Sequence, residues 1–573
     1  MSLMIRPTMR AFSPLFPGTC SAVRADSVAT EGRRVGGRQS LIGLLLFLLI
    51  AMGWSSAPFF RPDVLSGQAF LFSDHSYALF AADQLLNGKL LFRDVFYQYG
   101  ALPAYLHAGW ASLFGNTIIS YWRLAQLLTC IGVIQMWILL RRSHTPWQAL
   151  AIGIVALFPY FLIPGGSAGG LGGSVYVGLE RICILSIALA WKPPPSRTFD
   201  SALWIGVLLG LMQWIKFGGA FVAGAGILVL DVLALLYASG ETKRWVRWLT
   251  INLVTLLGFL LLEGMLAALL YLLLPAQLAS EVLWPSWMVQ NYAAYGHRSV
   301  PLLHWFNLNF FLGRQMPLVA AVLAGIAVTG LLLFKRGSAK LEERSSYLSF
   351  VGPPLFLVIF FSVALGVYLP HMWVAMFYAW MVLLSAACFL RKASLSVGLF
   401  LLACVPAFLL SAKDLVFSPK ADELREVHLA KDTLWLTPEV ENRLIKLQRL
   451  LELLQQQRGG NKLAPLAILG FPFGSGFHHF LGYPAATRHA WFMPGFVRPR
   501  EEGTLLDSLD RTLAVVVFFP DPQLRPPSAD PSTWEDFSIP SFTRSTCLAF
   551  VDRLQPPVEV DSRCWVFPVL PQS

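Results

Sequence analysis

Long apolar runs separated by short polar segments dominate this 573-residue chain and leave it few ways to fold. Taking stretches of about 18 to 25 residues as candidates for spanning a bilayer, they fall at 41–58, 119–140, 147–164, 174–191, 201–215, 217–238, 249–272, 317–334, 347–368, 371–390 and 393–412. In hydrocarbon an unpaired backbone amide has no water to turn to, so such runs predict α-helices. The composition agrees: 55% of residues are hydrophobic and only 13% are charged, with a mean hydropathy of +0.58. No soluble core needs that much apolar sequence.

The net charge of +11 would suggest nucleic acid in a soluble protein. Here the basic residues lie in short segments between apolar runs, which is what orientation in a membrane requires and which argues against a nucleic-acid partner. Arg141 and Arg142, Lys192 and Arg197, Lys243, Arg244 and Arg247, Lys335, Arg336, Lys340 and Arg344, then Arg391 and Lys392 all fall on the side of the arginine-rich segment 1–40. The positive-inside rule then predicts about eleven spans, a cytoplasmic N-terminus and an outer C-terminus. The run from Leu41 to Phe59 lacks a small-residue cleavage site, so it reads as a retained first helix. The alternation holds only if Gly100 to Phe114 lies in the interface without crossing; Tyr99, Tyr105 and Trp110 suit that position.

Four pieces then face outward: the first outer loop 59–118, a glycine-rich turn leading to Glu180 and Arg181, the tight turn at Lys216, and the loop 275–316 with His297 and Arg298. In the first loop, Ser73 is a good N-cap, Asp74 opens a short helix, and Asn87-Gly88 is a stop signal. The helix dipole favours an ionised carboxylate at that start. The glycine-rich turn has no preceding strand, so it is no phosphate-binding fingerprint. Asp231 and Glu263 fall inside apolar runs and need partners.

Composition changes after residue 412. Thr437 and Pro438 open an amphipathic helix ending at Gly459-Gly460, and LAILG and LAVVVFF read as buried strands with the helix-like TLLDSLDR between them. Residues 413–573 therefore predict a small α/β domain outside the membrane, with a lid, substrate-selecting or partner role. It has no nucleophile elbow, P-loop or metal-ligand spacing. Cys547 and Cys564 form a disulfide or stay reduced; the spacing leaves both open.

SDHSYALFAADQLLNGKLLFRD, with its G-x-x-x-x-R-D step, resembles the first outer loop of the GT-C superfamily of membrane glycosyltransferases, which includes protein O-mannosyltransferases (glycosyltransferase family 39) and lipid A aminoarabinose transferases. GVLLGLMQWIK, ending at Lys216, is similar to that family's glycine-rich helix closed by a lysine. YVGLER resembles the acidic end of its second outer loop, and FFSVALGVYLPHMW a later helix junction. The resemblance covers 41–412 and implies a GT-C-like polytopic fold with this catalytic domain in the inner membrane and a periplasmic domain at 413–573. His75 stands where many members carry a second acid, so metal dependence stays open and no cofactor is expected.

The implied reaction transfers a sugar from a polyprenyl-phosphate donor to a glycan, lipid or protein acceptor, with membrane lipid as a further partner. Asp74 is the expected base. Lys216 either meets the donor phosphate or snorkels to the interface. Arg93 and Asp94 either position the loop or donor or form a surface pair; Glu180 and Arg181 are a second acid and phosphate contact or satisfy each other. His297 and Arg298 are donor contacts or part of an interfacial segment. The competing class is a transporter or flippase for a lipid-linked saccharide, which predicts inverted repeats that this sequence lacks.

Overall fold

The computed structural model describes residues 36–55, 74–142, 144–157, 175–216, 218–237, 242–285, 424–458, 467–471, 474–492, 496–518 and 544–570, with the single positions 356 and 384. Its first part is helical: α1 (Gly36–Ser55), α2 (Asp74–Leu86), α3 (Ala101–Phe114), α4 (Ile118–Arg141), α5 (Pro146–Leu157), α6 (Val175–Ala190), α7 (Phe199–Ile215), α8 (Gly219–Tyr237), α9 (Thr242–Leu273) and α10 (Ala276–Leu283). Helix α1 and helices α4 through α9 match the apolar runs from 41 to 272. The runs between 317 and 412, and with them the full span count, lie outside the described residues, as do His297 and Arg298.

Among the described residues, Ile118–Arg141 and Trp245–Leu273 are long and apolar enough to cross a membrane. The packing forms a row: α1 lies on α4 and α5, α4 on α6, α6 on α7, and α7 on both α8 and α9. Backbones approach closely where α7 meets α9. A Cβ on Gly206 would overlap the Thr255 carbonyl oxygen, and one on Gly258 the Leu203 carbonyl oxygen. Such small-residue seams let helices pack tightly where hydrocarbon gives no hydrophobic drive. The other side of α9 leaves Leu253, Leu256, Leu257, Leu260, Leu261 and Met265 exposed among the described residues, a surface suited to lipid chains rather than water.

Two charges expected to need partners resolve differently. Asp231 of α8 accepts from Arg197 Nη1 at 2.9 Å and from Trp191 Nε1 at 2.9 Å, and it also pairs with Arg197 Nη2. Arg197 and Asp231 are both fully buried, so the charge of this basic residue lies against Asp231. Among the described residues Glu263 meets no such cation; its surroundings are described with the site below.

In the segment expected to form the first outer loop, α2 begins at Asp74 and stops where the sequence signals it, with Gly88 at φ +78° and Gly88 N–H bonded to Leu85 O at 3.0 Å. Helix α3 has 14 residues, which at about 1.5 Å per residue cannot cross a hydrocarbon core of about 30 Å. Trp110 Nε1 donates to Ser120 O at 2.9 Å, tying α3 to the first turn of α4.

The C-terminal part is α/β: β1 (Arg425–His428), β2 (Thr433–Leu436), α11 (Pro438–Gln457), β3 (Ala467–Phe471), α12 (Ser475–Leu481), α13 (Glu502–Ser508), β4 (Thr512–Phe518), α14 (Arg544–Val551), β5 (Val558–Asp561) and β6 (Cys564–Pro568). β1 and β2 form an antiparallel hairpin, and the main sheet runs β3-β4-β6-β5, with only β3 and β4 parallel. Both expected strands, β3 and β4, are buried along their whole length, as strands covered on both faces must be. Helix α11 starts at Pro438 as predicted, but the Thr437 side chain makes no cap bond. Its Val440, Leu444, Leu447 and Leu451 repeat every three or four residues and turn inward. Cys564 is a free, buried thiol in β6.

The segment 74–118 docks against this domain through α2 and α12. Ser76 Oγ meets Ser475 Oγ at 2.9 Å, Tyr77 stacks on Trp491 at 4.6 Å, and Phe96 N–H donates to Arg488 O at 2.8 Å. Glu281 of α10 adds ion pairs with Arg498 and Arg500.

Asp231→Ala leaves a buried guanidinium without its counter-ion and should cost about 3–5 kcal/mol. Thermal unfolding in detergent measures the loss, and the double change Arg197→Met with Asp231→Leu should recover most of it.

Candidate active site

Helix α7 ends at Ile215, and Lys216 continues in extended backbone at φ −154°, ψ 128°. Gly218, at φ +84°, then turns the chain into α8. The left-handed conformation at 218 is one that glycine adopts without a Cβ penalty. The turn leaves Lys216 partly exposed at the junction of two apolar helices. Its Nζ lies 5.8 Å from the centre of the Tyr176 ring, within the range of a cation–π contact. Tyr176 in turn stacks on Tyr99 at 4.1 Å and 20°, which brings the segment between α2 and α3 to the same point.

Glu180 stands four residues after Tyr176 on α6, so the two share a helix face. The carboxyl group is 4% exposed, with Oε1 at 3.1 Å from where a Cβ on Gly219 would stand. The glycine that opens α8 therefore leaves room for the carboxylate. The charges acting on Glu180 are those of Lys216 and Arg181. Arg181 is buried too, but its stem turns toward α4, with Cδ at 3.3 Å from a Cβ position on Gly132. The neighbours in sequence thus address different helices.

Gly100 completes the corner. Its N–H donates to Ile215 O at 3.0 Å, and a Cβ there would overlap the Trp214 carbonyl oxygen. Beside it opens an apolar cavity of about 270 Å³, lined among others by Leu91, Phe92, Leu102, Trp214, Leu266 and Leu270. A narrower cleft continues from it, sharing Phe92, Ala101 and Trp214. There Gln213 Oε1, Trp214 Nε1 and Glu263 Oε1 are buried without a hydrogen-bond partner among the described residues. This is where Glu263 goes: into a cleft wall facing Gln213.

Asp74 is the first residue of α2, at the positive end of its dipole. His75, next to it, is buried between the rings of Trp122 at 5.8 Å and Tyr121 at 5.5 Å. Burial drives its pKa down to about 3, so the imidazole is neutral. Tyr121 Oη accepts the Val175 N–H at 3.0 Å, and Val175 opens α6 just before Tyr176. One aromatic ring therefore separates the start of α2 from the start of the helix that carries Glu180.

Arg93 and Asp94 pair with each other at 2.9 and 3.0 Å in an exposed turn. Asp94 also accepts the Leu90 N–H at 2.8 Å. The Arg93 guanidinium holds the Asp94 carboxyl below the usual carboxylate range. Their contacts close the turn rather than reach Glu180 or Lys216; what the turn delivers is Phe92, at φ +67°, into the cavity wall.

The sequence reading missed Tyr176 and the cleft of Gln213, Trp214 and Glu263. The i,i+4 spacing of Tyr176 and Glu180 was the available signal for the first. Nothing in the sequence linked residue 213 to residue 263. Among the described residues no three His, Cys, Asp or Glu side chains converge as metal ligands.

No family model and no curated protein matches the chain. Among solved structures, the chain is similar to ArnT from Cupriavidus metallidurans bound to undecaprenyl phosphate, at TM-score 0.49 and 14% identity over 91% of this chain and 97% of that one. It is also similar to the same protein in the apo state, at TM-score 0.46 and 13% identity with the same coverage.

Gly100→Ala forces a methyl group into the Trp214 carbonyl and should cost about 1–3 kcal/mol as an overpacked site. A lowered unfolding midpoint would show it, whereas Gly109→Ala, which meets nothing within 4 Å, should be neutral or stabilising.

Proposed function

We propose that this chain is an integral membrane glycosyltransferase that moves a sugar from a polyprenyl-phosphate carrier to an acceptor hydroxyl on the outer face of the membrane. The observation that carries the reading is the approach of the Lys216 turn and of Glu180, from separate apolar helices, to Gly219, with an apolar cavity of about 270 Å³ bordered by the nearby Trp214. A lipid-linked donor has the same two parts, an anionic phosphate and a chain that stays in hydrocarbon. The resemblance of SDHSYALFAADQLLNGKLLFRD and GVLLGLMQWIK to GT-C segments supports the same reading from the sequence.

In this reading the acceptor oxygen attacks the anomeric carbon while the bond from that carbon to the phosphate oxygen breaks. The leaving phosphate takes the bonding electrons and Asp74 takes the acceptor proton. Lys216 stabilises the departing phosphate, and the aromatic pair Tyr176 and Tyr99 holds that ammonium in place. Glu180 is the second acid, stabilising positive charge as it builds on the sugar ring. Arg181 adds to the positive field at the phosphate, and the chain of the donor lies along Leu266 and Leu270. Arg93 and Asp94 position the loop that brings Phe92 to that chain. His297 and Arg298 contribute from the loop 275–316.

The same reading assigns 1–40 to a cytoplasmic tail, 41–412 to a catalytic domain of about eleven spans in the bacterial inner membrane, and 413–573 to a periplasmic domain. The exposed leucine face of α9 supports the membrane setting.

Asp74→Asn should lower turnover by about 10²- to 10⁴-fold with donor binding retained. Lys216→Gln should lower kcat/KM by about 10²- to 10³-fold. Both are read by sugar transfer from a defined polyprenyl-phosphate sugar in nanodiscs. Wild-type turnover in Asp74→Asn would remove the base assignment, and movement of intact donor across the bilayer without transfer would replace the enzyme by a flippase.

A further inference from the structure

The C-terminal domain reaches α2 through one buried side chain that no motif announced. His479 of α12 is 0% exposed. Its Nδ1 lies 2.7 Å from Asp83 Oδ2 on α2, and its Nε2 lies 3.9 Å from Asp432 Oδ2 in the β1–β2 turn. The first contact is a hydrogen bond; the second is too long for one but close enough for a charge to act.

Each carboxylate also holds a further element. Asp83 receives Asn116 Nδ2 at 3.1 Å and Lys431 Nζ at 3.0 Å. Asp432 accepts the Ile118 N–H at 2.6 Å, at the first residue of α4, and the Thr433 N–H at 2.8 Å. Two buried or half-buried carboxylates facing one lysine leave one negative charge over, and a neutral imidazole does not offset it. A protonated one does.

We propose that protonated His479 is a positioning residue that clamps α2, and with it Asp74, against the C-terminal domain, so that the site is assembled on the acid side of the His479 titration and loosens on the alkaline side. The role of Asp74 rests on the function proposed above; the clamp does not.

Burial by itself would lower the pKa of His479, but the two carboxylates, Asp432 acting through its charge and Asp83 through both its charge and its hydrogen bond, outweigh it and raise the value above that of a free histidine. A raised folded value gives stabilisation that is complete below about pH 6.5, the ordinary histidine value. It is lost as pH rises through the folded pKa. At Asp83 burial pulls upward, and His479, Asn116 and Lys431 together bring the carboxyl below its usual range. That contribution therefore fails only in acid. The other titratable groups here do not mimic the effect. His107 of α3 and His478 of α12 are buried with pKa values pushed down to about 4, so both stay neutral across the window. The flanking contacts of Ser76 with Ser475 and Tyr77 with Trp491 are uncharged and persist, so α2 loosens without detaching.

The test is amide exchange on the full chain in nanodiscs, corrected for intrinsic rates, from about pH 6 to about pH 9. Protection of α2 should fall with rising pH while α11 and β4 keep theirs. His479→Gln should show α2 protection about tenfold lower at the acid end, then flat across the range. Wild-type protection of α2 that does not change with pH, or a His479→Gln profile identical to wild type, overturns the proposal. If the variant loses protection in α11 and β4 as well, it has unfolded and the wild-type profile alone decides. Sugar transfer measured on the same samples should follow α2 protection. A wild-type protein without transfer but with the pH-dependent α2 profile would refute the glycosyltransferase reading and leave the clamp standing.

Discussion

A charge can be kept among apolar helices only beside an opposite charge or a polar ligand, and this constraint organises both ends of α7. At one end Arg197 meets Asp231 in a fully buried pair, completed by Trp191. At the other, Lys216 leaves the helix as Glu180 approaches from α6. The physics is shared, but the two ends differ in what they leave over: Arg197 and Asp231 form a direct ion pair, and Lys216 and Glu180 do not. Asp231 spends both oxygens on partners, whereas Lys216 keeps part of its surface exposed next to an aromatic shelf and an apolar cavity. A saturated pair holds helices together; opposite charges that stay near each other without closing into a direct pair have capacity for a ligand.

Glycine makes the second arrangement sterically possible. Gly219 leaves the space that Glu180 occupies, and Gly100 lets the start of α3 reach the Ile215 carbonyl. The turn carrying Lys216, the helix carrying Glu180 and the loop carrying Tyr99 then converge without a large side chain between them. Phe92 and Trp214 close the apolar side of the same corner.

The C-terminal domain is part of this architecture and not an appendage. Its α12 packs on α2, its β1–β2 turn caps α4 through Asp432, and its Arg498 and Arg500 pair with Glu281 of α10. A helix of 13 residues such as α2 is marginal alone in water. Its inward side is buried by residues that lie some 400 positions later, through Ser76 with Ser475 and Asp83 with His479.

Sequence alone determined what depends on local pattern. Apolar length fixed where α1 and α4 to α9 run, Asn87-Gly88 fixed the end of α2, and the shift in composition after residue 412 marked the α/β domain with its two buried strands. It also singled out Lys216 and Glu180, because a charge bordering an apolar run is visible without coordinates. Tertiary structure decided which charges meet. Arg197 looked like a loop cation until Asp231, 34 residues away, proved to be its partner. The placing of Gln213 and Glu263 in one cleft wall, and the contact of His479 with Asp83 and Asp432, depend on helix rotation and domain docking. Hydropathy records how long a helix is and how apolar, but a side chain's partner across the fold is set by the angle at which its helix packs, and no local pattern encodes that angle.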